Sequence, residues 1–324
     1  MKKNFGVLIL LTFLSVNLLP AQQKQLSLND FLVNGTFSTK GVSGLRSMND
    51  GEHYTVLEDR GTKIVKYSYK TGQAVATLVD LKQLETDVKS IAGYEFNHDE
   101  SRILICTNKK PIYRRSFTAD YYIFDFKNRE LKPLSENGSQ RLATFSPDGL
   151  RIAFVRDNNL FIKDLRFGTE RKITHDGEQN HIINGAPDWV YEEEFSFNKA
   201  FDWSPDGNSL AYIKFNESDV KEYQMNMFEG QRPAIKANEL YPSNYIYKYP
   251  KAGEKNSIVS VHVYEVNDKT TQTMDIGEET DIYIPRIRWT KDPKKLAIIR
   301  LNRIQNKMDV LAANAKTGAT TPLY

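Results

Sequence analysis

Polar and apolar positions along this chain alternate over short distances. Runs such as RIAFV (151–155), NLFIKDL (159–165), YYIFDF (121–126) and SIVSVHVYEV (257–266) are apolar or alternating over a strand's length. Polar turns bound each run, and segments with a helical period are nearly absent. One pattern recurs five times: an aromatic or small residue, a two-residue spacer, Asp, often Gly, then an apolar strand. It reads SMNDGEHYTVL (47–57), FNHDESRILIC (96–106), FSPDGLRIAFV (145–155), WSPDGNSLAYI (203–213) and WTKDPKKLAII (289–299).

The aligned aspartates are Asp50, Asp99, Asp148, Asp206 and Asp292, separated by 49, 49, 58 and 86 residues. Within the unit, Pro presets φ, Asp bonds its own backbone and Gly accepts a positive φ, so the segment turns tightly. A second strand and a short third follow each turn. Repeats of about 40–50 residues, with about four short antiparallel strands each, are the blades of a β-propeller. The chain is therefore expected to be all-β, with about five blades over residues 22–324. Nothing after the fifth anchor closes a ring, so the propeller is expected to be incomplete.

The two wide separations mark insertions. The first carries DWVYEEEF (188–195), the second a Pro/Tyr-rich stretch (229–253). Insertions between blade strands lie on the faces where ligands and partners are met. Tyr241, Tyr245, Tyr247 and Tyr249 of the second insertion suit a protein interface, and the stretch is expected to act as a dimer arm.

Composition narrows the classes. With 40% hydrophobic and 26% charged residues, the chain can pack a core. Lys plus Arg (44) nearly balances Asp plus Glu (41), so no nucleic-acid partner is expected. Lys2 and Lys3, an apolar stretch (7–19) and Pro20-Ala21 read as a signal peptide over residues 1–21. This implies export to the periplasm or the extracellular side, free or held at the cell surface. The single cysteine, Cys106, reads as a buried strand residue and forms no intrachain disulfide. The five histidines lie in blade-like contexts without metal spacing, and there is no P-loop. No cofactor or metal is expected.

In DWVYEEEF, three consecutive glutamates lie between Trp189, Tyr191 and Phe195. An acidic helix start is commonly just a solvated face. Taken with WSPDG, YPKAG (249–253), RRSFTADYYIFDF (114–126) and LNRIQNKMDV (301–310), however, the motif resembles the propeller of the dipeptidyl peptidase IV family of serine peptidases. The likeness runs from about residue 26 to the end.

That resemblance implies an eight-bladed propeller over an α/β-hydrolase domain built largely from later sequence. It implies that Glu193 and Glu194 hold the free α-amino group of a peptide substrate, and that Arg114, or its neighbour Arg115, contacts a substrate carbonyl. Glu192 reads as structural or solvated. The chemistry fits, because an α-ammonium offers three donors and two carboxylates supply charge and acceptors. The aromatic flanks then anchor a highly charged turn. The hydrolase nucleophile motif G-x-S-x-G is absent from the chain, so no catalytic residue is expected here and the chain alone should be inactive. Two functions follow. One is the recognition propeller of an exported serine dipeptidyl peptidase releasing Xaa-Pro or Xaa-Ala. The other is a non-catalytic exported propeller that binds peptides or acts as a scaffold.

Overall fold

The computed structural model describes residues 25–39, 41–228 and 240–324. The leader read at residues 1–21 and residues 229–239 of the second insertion lie outside the described residues. Two compact units meet in sequence at Val42 and Ser43. The first contains α1 (Leu28–Leu32), whose N-terminus is closed by a capping box between Ser27 and Asp30. Among the described residues, the first strand begins at Ser43.

From Ser43 onward the described residues form five consecutive antiparallel sheets of four or five strands and one separate two-stranded hairpin. Blade 1 is β1 (Ser43–Ser47), β2 (His53–Glu58), β3 (Lys63–Ser68) and β4 (Ala74–Asp80). Blade 2 is β5 (Gly93–Phe96), β6 (Arg102–Pro111), β7 (Phe117–Asp125) and β8 (Glu130–Pro133). Blade 3 is β9 (Arg141–Phe145), β10 (Arg151–Arg156), β11 (Asn159–Asp164) and β12 (Thr169–Lys172). Blade 4 opens with β13 (Ile182–Asn184), is interrupted by α2 (Trp189–Glu194), and resumes with β14 (Phe201–Trp203) and β15 (Ser209–Asn216). A hairpin, β16 (Glu222–Met227) and β17 (Ser243–Lys248), precedes the blade's last strands, β18 (Ile258–Glu265) and β19 (Thr270–Thr273). Blade 5 is β20 (Ile282–Trp289), β21 (Lys295–Asn302), β22 (Met308–Asn314) and β23 (Thr320–Pro322). These are five blades of a β-propeller.

The repeat anchors do not start the blades. Each sits in the turn between a blade's first and second strands, and the aromatic or small residue before it belongs to the first strand or its end. The turn chemistry is shared by all five. Oδ1 of Asp50, Asp99, Asp148, Asp206 and Asp292 accepts the backbone N–H two residues on, at 3.0–3.1 Å. Gly51, Gly149 and Gly207 follow with φ of 69°, 68° and 69°, where glycine carries no steric penalty.

The apolar runs owe their uniformity to burial on both faces. Along β6, Ile103 and Ile105 point into the core shared with blade 1, while Leu104 and Cys106 point into the core shared with blade 3. Along β10, Ile152 and Phe154 face blade 2, whereas Ala153 and Val155 face blade 4. Alternate residues of a strand leave on opposite sides, so a sheet stacked between two others needs apolar residues at every position.

Candidate functional site

Blade 4 carries the DWVYEEEF motif inside its first strand. β13 and β14 both pair with β15, as Ile182↔Asn216 and Phe201↔Tyr212. Paired numbers sum to 398 in one piece and 413 in the other, so the strand resumes its register after 413 − 398 = 15 extra residues. The base of this excursion is tied. Gly185 N–H donates to Ile213 O (3.0 Å), Ala200 N–H to Gly185 O (3.0 Å) and Ile213 N–H to Ala200 O (2.8 Å). Gly185 turns the chain out at φ 76°, close over the Leu160 side chain.

Asp188 then caps α2, its Oδ1 accepting Tyr191 N–H at 2.9 Å and its Oδ2 accepting the Ser257 hydroxyl at 2.5 Å. Burial holds the Asp188 carboxyl above the usual range, against those hydrogen bonds. The helix ends where Phe195 N–H reaches Tyr191 O and Ser196 takes φ 55°. The flanking rings do the anchoring expected of them. Tyr191 is fully buried against Phe195, Phe215 and Tyr283, and its hydroxyl accepts the Ile284 N–H of blade 5 at 3.0 Å. Trp189 packs against Tyr249 with their rings tilted and centroids 4.2 Å apart, and contacts Tyr247.

On one helical turn, successive side chains point about 100° apart, and the three glutamates have three environments. Glu192 is fully buried. Its Oε1 accepts the backbone N–H groups of Arg115 (2.6 Å) and Ser116 (2.8 Å) from the blade 2 loop between β6 and β7. Glu193 is half-buried and pairs through Oε2 with Arg114 Nε at 3.0 Å, the Arg114 side chain being 73% exposed. Glu194 is exposed and forms no ion pair with a described residue.

The two arginines thereby separate. Arg115 Nη1 donates to Glu192 O (2.9 Å) and Nη2 to Ser196 Oγ (3.4 Å), while Asn198 Nδ2 donates to Arg115 O (3.1 Å). Arg115 ties the loop to the helix, and Arg114 stands in the open beside Glu193. The loop closes on itself through Ile112 N–H to Ser116 O and Tyr113 N–H to Ser116 Oγ.

Behind this surface lies a buried polar group that sequence reading missed. Arg141, the first residue of β9, is 9% exposed, and its Nε and Nη2 have no hydrogen-bond partner among the described residues. Glu192 Oε2 has none either. Glu217, 5% exposed, has its carboxyl pushed up to about 7 by burial, with the Asp188 charge adding to the shift and Lys248 opposing it. Neither Arg141 nor Glu217 sits in a recognisable motif. The weak signal was an arginine opening an apolar strand, RLATF.

The expected dimer-arm tyrosines are divided. Tyr247 is buried and, with Tyr249, packs on Trp189, so these two brace α2 from within the chain. Tyr241 is 75% exposed and Tyr245 38%. Among the described residues no group of His, Cys, Asp or Glu could hold a metal, and Cys106 is a buried free thiol in β6.

A family model for the dipeptidyl peptidase IV (DPP IV) N-terminal region matches residues 97–324. A protein of Emericella nidulans named probable dipeptidyl peptidase 4 is 32% identical over 308 residues, covering 93% of this chain and 38% of that protein. Human prolyl endopeptidase FAP is 30% identical over 295 residues, covering 87% of this chain and 36% of that protein. The crystal structure of Porphyromonas gingivalis dipeptidyl peptidase 4 superposes with a TM-score of 0.83 at 42% identity, covering 93% of this chain and 42% of that one. This chain thus spans about two-fifths of the length of such relatives. On the matched region and the shared propeller, it belongs to the dipeptidyl peptidase IV family, whose N-terminal region it carries.

Proposed function

We propose that this chain is the substrate-recognition propeller of an exported serine exopeptidase that releases N-terminal dipeptides, with proline or alanine at the second position. The observation carrying this reading is the Arg114–Glu193 pair, 3.0 Å apart, with the exposed Glu194 next along a helix whose other side is buried. Glu193 and Glu194 receive the substrate's α-ammonium. Arg114 aligns the Glu193 carboxylate and turns its remaining N–H groups to a substrate carbonyl. Ionic hydrogen bonds of this kind are short and roughly twice as strong as neutral ones. A clamp on the terminal amine also acts as a ruler, because the scissile bond must lie a set distance from it.

The nucleophile and its partners belong to an α/β-hydrolase domain outside this chain, and the propeller alone is inactive. Export rests on the leader read at residues 1–21. The exposed part of the β16–β17 hairpin, including Tyr223, Met225, Met227, Tyr241 and Tyr245, supports a homodimer contact.

The test uses the whole protein that carries this chain. Glu193→Gln should lower kcat/KM on free-amine Xaa-Pro substrates by the equivalent of roughly 2–5 kcal/mol, the range for removing one member of a desolvated charge pair. Glu194→Gln should act in the same direction. Wild-type kinetics in both variants would remove the clamp. If the whole protein cleaves nothing yet binds free-amine peptides by calorimetry, the non-catalytic binding module takes its place.

A further inference from the structure

We propose that Arg141 is the buried countercharge of Glu192 and, through it, a positioning residue that sets Arg114 and Glu193 against each other. The inference rests on the clamp reading above and extends it to a residue that no substrate touches.

The placement carries the argument. Glu192 belongs to the blade 4 helix, its Oε1 grips the blade 2 loop, and Arg141 opens the first strand of blade 3. Gln140, just before it, exchanges backbone hydrogen bonds with Ala119 of blade 2 at 2.8 Å in both directions, so Arg141 is held in place from that side. Arg141 therefore starts its strand beside the end of blade 2 whose loop Glu192 grips.

Neither charge is satisfied alone. Among the described residues Glu192, fully buried, has no hydrogen-bond partner for Oε2, and Arg141, also buried, has none for Nε and Nη2. A buried ion without a countercharge is strongly disfavoured. Here burial pulls the Arg141 guanidinium below its usual pKa, and the Glu192 charge acts first among the groups that oppose it, followed by Tyr113. In this proposal Glu192 compensates Arg141 through space, without a direct ion-pair contact between them.

What the pair controls follows from sequence neighbours. Glu192 precedes Glu193, and the amides it grips belong to the two residues after Arg114. One side chain therefore fixes the register between the two groups proposed to meet the substrate. Neutralising Arg141 leaves Glu192 as a buried lone anion, which favours its withdrawal toward water and loosens its hold on the loop.

The experiment compares Arg141→Met, Arg141→Lys, Glu192→Gln and the double variant Arg141→Met/Glu192→Gln in the whole protein, with Glu193→Gln alongside. Arg141→Met should raise KM for free-amine dipeptide substrates at least tenfold with kcat within threefold, and speed hydrogen exchange at the Arg115 and Ser116 amides. Arg141→Lys should recover much of the loss because it restores the charge. The double variant should be no worse than either single change, since it removes both ions together. Unchanged KM and unchanged exchange in Arg141→Met, or additive effects in the double variant, would overturn the proposal. If Arg141→Met fails to fold, Arg141→Lys and the double variant carry the same comparison. If Glu193→Gln leaves KM unchanged, the clamp fails and substrate positioning falls with it; faster exchange of the two amides in Arg141→Met then still supports the countercharge.

Discussion

Replacing Glu217 with Gln should make blade 4 more stable at alkaline pH, a direction opposite to that of most changes at a buried charged residue. Glu217 follows β15, where its N–H donates to His181 O at 2.8 Å and its C=O accepts Val220 N–H at 3.0 Å. Lys248 Nζ, the cation nearby, donates to Val220 O (2.9 Å) and Ser218 O (3.4 Å) and lies 3.8 Å from Glu222. The carboxyl is thus buried beside Asp188, and burial pushes its pKa from 4.5 to about 7. Because the folded-state value lies above the unfolded one, the folded chain binds more protons between them. Stability therefore falls as pH rises from about 4.5 to about 7 and stays low beyond. The shift, 7 − 4.5 = 2.5, corresponds to about 3 kcal/mol at full ionisation. Gln keeps the shape of the protonated acid without the charge. Amide hydrogen exchange along β15 and β18, corrected for intrinsic rates, reads the local opening free energy across pH. The gain of Glu217→Gln over wild type should be about 3 kcal/mol larger at pH 8 than at pH 4.5. A gain that does not vary with pH, within about 0.5 kcal/mol, would refute the argument.

Three further outcomes can be checked by the same exchange measurement. His262 is pulled down from 6.5 to about 4, chiefly by burial, with Lys214 reinforcing the shift and Asp176 opposing it. The unfolded state binds the proton more readily, so stability is lost as pH falls from about 6.5 toward 4, and His262→Gln should flatten that slope. Tyr191→Phe keeps the ring but leaves the buried Ile284 N–H without its acceptor, which should cost about 1–3 kcal/mol and speed exchange at Ile284 itself. Unchanged protection there would mean that the hydrogen bond contributes nothing. Gly185→Ala places a Cβ 2.7 Å from Leu160 Cδ2 at φ 76°, so it should destabilise the base of the insertion by about 1–3 kcal/mol. A neutral result would show that Leu160 moves aside freely.

The architecture was legible because it is periodic. Five Asp turns recur, each with the same Asp-to-backbone hydrogen bond, and a repeated local structure needs no long-range information. The offset of the anchors within the blades was not legible in the same way. First strands such as β14, three residues long, are too short to show alternation, so the strand after the turn looked like the start of the unit. The tyrosine-rich insertion was legible only in part, for a different reason. Tyr247 and Tyr249 have the composition of an interface, but the surface they cover is Trp189 of their own chain.

The acidic motif shows where sequence reasoning must stop. A helix cannot point three consecutive side chains the same way, so at most two of Glu192, Glu193 and Glu194 could share a ligand, and one had to turn inward. Which one turns inward is decided by Tyr191 and Val190, whose burial orients the helix. Burying the Glu192 carboxylate is offset in part by backbone donors that arrive from a loop 76 and 77 residues earlier. The splitting of the blade 4 strand makes that meeting possible: a 15-residue excursion (413 − 398) at the base-paired positions carries the helix away from its own sheet and toward blade 2 without disturbing the register of β15. The same contact that satisfies Glu192 brings Arg114 to Glu193. Burial of one glutamate and presentation of the next are therefore a single structural event, and a change that frees Glu192 must also displace the Arg114–Glu193 pair.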